Sequence, residues 1–180
     1  MLAYKGFNKG LRCLDYQFTM GLNVTEKANC RQNGFHCAEN PLDCLIYYPD
    51  VQNSEYYLVE AGGDLDEDGI DSKISCTELT ILRKLDLYHL IMHGIAFMHD
   101  HPFLPWSNVV KKDRGIAHDG YAVIRGSDPM ANGSQGDILG LIKENPGSHL
   151  VEEIALTRVD GETIQPKTWY GMGWKKRSGL

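Results

Sequence analysis

Apolar and polar residues alternate along short stretches of this chain, and the breaks between those stretches are sharp. Residues 2–7, LAYKGF, read as a first strand ended by Asn8-Lys9-Gly10. Residues 11–16 and 18–24 suggest further short strands or an irregular excursion, and the polar stretch 25–33 reads as a loop. Phe35 and Cys37 alternate with polar neighbours as a half-buried strand does. Asn40 then offers an N-cap and Pro41 stands at the first helical position, where a missing N–H costs nothing. Leu42, Leu45 and Ile46 form a helical stripe that Tyr47 and Tyr48 end before Pro49 stops it.

Further on, residues 55–61 are rich in strand formers and run into Gly62-Gly63. Residues 73–82 predict a second long strand, and Leu87, Leu90, Ile91 and Ile95 have the spacing of a helix. Between the two strands, Asp64-Leu-Asp66-Glu-Asp68-Gly69 predicts an acidic turn. Its alternating carboxylates are those of a calcium loop, but position 75 is Ser where such a loop needs a bidentate Glu. Asp64, Asp66 and Asp68 are therefore weak metal candidates, and no metal or cofactor is expected. His89 and His93 stand four apart on the predicted helix and read as a histidine pair on one face, lacking the metalloprotease pattern.

Beyond residue 100 the pattern changes. Residues 101–114 read as a linker, and from Gly115 onward regularly spaced glycines separate very short apolar segments, which suits stacked strands. Asp160-Gly161, between residues 154–159 and 162–164, predicts a hairpin. The expected organisation is an α+β ligand-binding part over 1–100 and a β-rich oligomerisation part over 115–180. Trp106, Trp169, Trp174 and Tyr170 are expected to fill a core or a subunit interface.

Composition narrows the classes. A hydrophobic fraction of 42% and a net charge of -6 describe a globular chain without a broad basic footprint, so no nucleic-acid partner is expected. No apolar run reaches membrane-span length, and MLAYKGFNKG has no apolar leader pattern, so neither a membrane partner nor a secretory route is expected. Five scattered cysteines without a CxxC pair predict reduced, packed thiols. His36, flanked by Phe35 and Cys37, is the histidine expected to face a cleft, while Cys37 is expected to face away.

Two resemblances add to this reading. The segments YKGF, GFHCAENPLDCLIYY, VEAGGD, DSKISCTELTILRKL and VDGETIQPKTWY resemble an uncharacterised family of phage and prophage proteins. That resemblance implies a viral origin and no established activity. Its members carry Gly/Ala/Ser repeats similar to trimeric β-rolls, to which residues 115–140 correspond as a remnant, implying a homo-oligomer, trimer or hexamer. The order of elements is similar to the core of ADP-ribosyltransferases. Carried over, Lys5-Gly6 with Tyr4 before it matches the ribose-holding motif, and Tyr47 or Tyr48 matches the stacking tyrosine. The catalytic Glu would fall near residues 71–73, where there is none.

The resemblances thus imply a binder of a nucleotide or ADP-ribose-type molecule, acting in the host cytoplasm, with no catalytic residue. Its ligand residues would be Tyr4, Lys5, Gly6, His36, Asn40, Tyr47 and Tyr48. The alternatives are a structural protein of the virion, and a mono-ADP-ribosyltransferase using Glu78 or Asp71.

Overall fold

The computed structural model describes residues 1–30, 32–67 and 72–178. The chain divides into two compact units, Met1–Leu90 and Ile91–Leu180. Both are built mainly from strands, so the architecture is α+β and strand-rich.

The first unit contains β1 (Leu2–Asn8), β2 (Arg12–Cys13), β3 (Tyr16–Gln17), β4 (Gly21–Val24) and β5 (Phe35–Ala38). A short helical segment follows, a 3-10 turn over Pro41–Asp43 continued as α1 (Cys44–Tyr47), and then β6 (Ser54–Glu67) and β7 (Lys73–Leu85). Every pairing among these strands is antiparallel. β1 pairs with β6 along its whole length and meets β5 where Tyr4 faces Ala38. β7 pairs with both β6 and β5, so these four strands close a circuit. Inside it pack Ala3, Phe7, Phe18, Phe35, Cys37, Val59, Ile74, Cys76 and Leu79. Phe7, Phe18, Phe35 and Tyr16 meet edge-on or tilted, with ring centroids between 4.6 and 5.2 Å apart.

β6 is longer than its sequence pattern predicts and carries Asp64 and Asp66 within the strand instead of in the expected acidic turn. The register between β6 and β7 shifts at Gly62–Leu65. There Gly63 takes a φ of +69°, and the Asp64 N–H donates to Thr77 Oγ1 at 2.8 Å. Asp66 accepts from the Cys30 N–H at 2.7 Å. Asp68 and Asp71 lie outside the described residues, and among the described residues no cluster of three metal-ligating side chains occurs.

Helix α2 (Leu87–Asp100) follows the predicted stripe, with Leu90, Ile91 and Ile95 buried. The second unit then contains β8 (Val110–Ile116), β9 (Tyr121–Asn132), β10 (Ile138–Glu144), β11 (Val151–Arg158), β12 (Trp169–Tyr170) and β13 (Lys176–Arg177). Residues 110–114, expected in a linker, belong to β8. β9 pairs in parallel with β8 on one edge and with β10 on the other. Val110 faces Val123 and Tyr121 faces Ile138, so successive short segments stack on one another, as the glycine punctuation predicts. One face of this sheet buries Ala122, Ile124, Leu139, Leu141 and Tyr170; on the other, Gly140 lies close to Ile95 of α2.

The hairpin expected at Asp160-Gly161 does not form. β11 returns against β10, and residues 162–164 make no strand. The Asp160 carboxylate instead accepts from the N–H groups of Glu162 (2.8 Å) and Ile164 (2.9 Å), and that local bonding competes with a ladder. Ile164 turns inward to the core. Among the described residues, no helix is long and apolar enough to cross a membrane.

Candidate functional site

The alternation along β1 sends Ala3, Lys5 and Phe7 to the interior of the circuit. An ammonium at the middle of that row is unusual, because burying a charge requires partners. Lys5 is 4% exposed. Its Nζ donates to the His36 carbonyl at 2.6 Å and lies 3.7 Å from Cys13 Sγ. It also sits 5.1 Å from the Phe7 ring centroid and 5.4 Å from that of Phe18, where the ring faces offer partial negative charge. Among the described residues no carboxylate pairs with it.

Two hollows open beside this ammonium. The first, about 270 Å³, is lined by Tyr4, Lys5, His36, Tyr47 and Tyr48, with Cys13, Leu14, Cys37, Ala38, Cys44 and Lys73. The second, about 380 Å³, shares Lys5, Cys13, Leu14 and His36 with it and adds an aromatic wall of Tyr16, Phe18 and Phe35. Five of the seven residues expected at a ligand site therefore border one cavity. The remaining two do not line it but support residues that do. A Cβ on Gly6 would lie 2.3 Å from Tyr48 Cδ2, so the absent side chain is what lets the Tyr48 ring lie on β1. Asn40 is buried and caps the helical segment, its Oδ1 accepting from the Leu42 N–H at 3.1 Å. Ser72 braces the same corner: its Oγ accepts from the Asn40 N–H at 3.0 Å and donates to Asp43 Oδ2 at 2.6 Å.

The tyrosines are held differently. Tyr48 donates its hydroxyl to Cys13 Sγ at 3.0 Å, and its carbonyl accepts from the Tyr56 hydroxyl at 2.6 Å. Burial, with the Cys13 hydrogen bond second, pushes its phenol well above the ordinary value, so it acts as a donor. Tyr47 is half-exposed and carries Lys73 Nζ 4.3 Å above its ring centroid. Tyr4 is half-buried, and its phenol is also raised by burial. Two lysines, a histidine and three tyrosines thus surround a mouth that suits a flat ring and an anionic group together.

Several members of this wall carry no signal in the pattern. Cys13 and Leu14 arrive through the small β2–β3 hairpin, whose turn holds Leu14 at a φ of 52°, a conformation that no residue there advertises. Lys73 enters because Ala38 faces it across the β5–β7 ladder. Cys37, expected to face away, borders the cavity as His36 does. A hydrogen bond to Cys76, then burial, raises its thiol well above the ordinary value, and burial raises Cys44 to about 12; neither is a ready nucleophile. Glu78, an acid considered for transferase chemistry, is not among the residues lining either hollow.

Comparison with known proteins bears on this unit. Residues 1–93 match the model of a family described as a domain of unknown function, DUF7666. The chain belongs to that family. The match contains every residue bordering both hollows, so the DUF7666 region carries the whole candidate site. No curated protein and no solved structure matches the chain.

Proposed function

We propose that the DUF7666 unit captures a small anionic molecule of the nucleotide or ADP-ribose class. In this reading the protein is phage-borne, works in the host cytoplasm and removes a host signal. The observation that carries it is the Lys5 ammonium, buried without a carboxylate partner among the described residues and bordering two hollows walled by aromatic rings. A charge so placed is stabilised by an incoming anion, because the low-dielectric surroundings strengthen the pair. Lys73 supplies a second cation at the rim, and Tyr4, Tyr47 and Tyr48 offer faces on which a base can stack. Cavities for small molecules run from about 300 to 1,000 Å³; the second hollow, about 380 Å³, lies in the lower part of that scale and the first, about 270 Å³, just below it.

Capture is favoured over transfer because, among the described residues, the tyrosine-walled hollow is lined by no acid that could activate an acceptor. The ADP-ribosyltransferase-like order of elements belongs to the same proposal: Lys5-Gly6 lies on the first strand and Tyr48 ends the helical segment.

Native mass spectrometry of protein purified gently from expressing cells tests this directly. A retained mass of nucleotide size, in any oligomeric state, supports capture. An empty trimer or hexamer overturns it in favour of a structural role in the virion.

A further inference from the structure

We infer that the second unit carries a separate binding site, for an uncharged small molecule with an apolar or aromatic body and a single carbonyl acceptor. The site is centred on Arg125 of β9, which is 1% exposed. Its Nε donates to Glu144 Oε2 at 2.8 Å, and its Nη2 donates to the carbonyls of Pro102 (2.9 Å) and His149 (3.1 Å). Trp106 covers the guanidinium, with its ring 4.9 Å from Cζ. Nη1 is buried and has no acceptor among the described residues.

An arginine does not lose its proton to escape such a position, so the donor stays charged and unmet. A buried charged donor without a partner forfeits its hydration and receives nothing in exchange. Arg125 borders an open hollow of about 530 Å³, lined also by the 102–106 loop, Glu144 and His149. The loop offers apolar surface to a visitor: Phe103 is 74% exposed and Leu104 49%. These are adjacent large side chains left in water beside a buried cation, lining the same hollow.

The charge count selects the ligand. Glu144 already neutralises Arg125, so a second carboxylate on Nη1 would add an uncompensated negative charge where the dielectric is low. A purely apolar ligand would fill the cavity and leave Nη1 unmet. A carbonyl meets the donor without altering the charge balance, and two backbone carbonyls already bind the same guanidinium in that way.

The test uses the full-length chain and three probes of similar size: benzamide, toluene and benzoate. Ligand-observed NMR titrations give the affinities. Benzamide is expected to bind at least about tenfold more tightly than either comparator, a difference of one decade in Kd. Phe103→Ser, at an exposed position where the fold tolerates change, is expected to weaken benzamide by about tenfold with an unchanged circular dichroism spectrum. Equal binding of toluene and benzamide overturns the role of Nη1, and tighter binding of benzoate overturns the charge argument. No benzamide binding up to about 10 mM overturns the site itself.

Discussion

Lys5 shows how one residue in a strand's inner row can change what a core does. Ala3 and Phe7 on either side are ordinary interior residues, and the period-2 pattern of LAYKGF places Lys5 between them. Alternation puts Lys5 in the same row as Ala3 and Phe7, and so beside the Phe7 ring; the Phe18 ring and the His36 carbonyl around its Nζ were not legible, because they come from segments distant in sequence. Gly6 beside it is legible only as a break in β-propensity, whereas the structure gives it a spatial reason: any Cβ there meets the Tyr48 ring. Gly6→Ala is therefore expected to displace that ring and cost about 1–3 kcal/mol, read as a lower urea midpoint at unchanged slope. The same variant loses the cavity wall, so a retained ligand should be lost with it.

At the scale of elements, the sequence was clearest where a local rule acts alone. Asn40-Pro41 marks the helical start, and residues 73–82 mark a strand, because capping and alternation need no distant partner. The Asp160-Gly161 signal misled because the aspartate's own side chain satisfied the backbone groups a hairpin needs. Contacts between elements were likewise hidden, and Glu55 is the best example. From β6 it accepts from the N–H groups of Gly10 (2.9 Å) and Leu11 (3.3 Å), and it pairs with Lys84 of β7 at 2.5 Å. The Lys84 hydrogen bond, opposed by burial and helped by those N–H groups, holds its carboxyl below the ordinary value. A depressed carboxylate stabilises the fold above the usual glutamate range, and that contribution disappears as pH falls through the lowered pKa. Glu55→Gln is expected to cost about 1 kcal/mol near neutral pH and to flatten the loss of stability on acidification. Urea unfolding at a series of pH values checks it: parallel acid limbs for the two proteins would contradict the assignment.

At the scale of the whole molecule, two units of equal length divide the chain, and the family match falls on the first. The pattern changes near residue 100 whereas the units divide after Leu90, and glycine does not keep the later strands short: β9 runs twelve residues through Gly126. Pattern alone did not reveal that the four-strand circuit encloses a cation. The central claim is that this cation serves a ligand, and Lys5→Met tests it most directly. Methionine keeps an unbranched side chain one heavy atom shorter than lysine and removes the charge. A lysine kept for stability would be missed, whereas one kept for binding is replaced at a cost within about 1 kcal/mol, because relief of desolvation offsets the lost His36 hydrogen bond. Isothermal titration of wild type and Lys5→Met with ADP-ribose and a panel of nucleotides, alongside urea unfolding of both, is the measurement. The account predicts binding by the wild type to at least one compound, lost in a variant of near-native stability. A variant that binds as the wild type does, or a wild type that binds none of the panel, would contradict it.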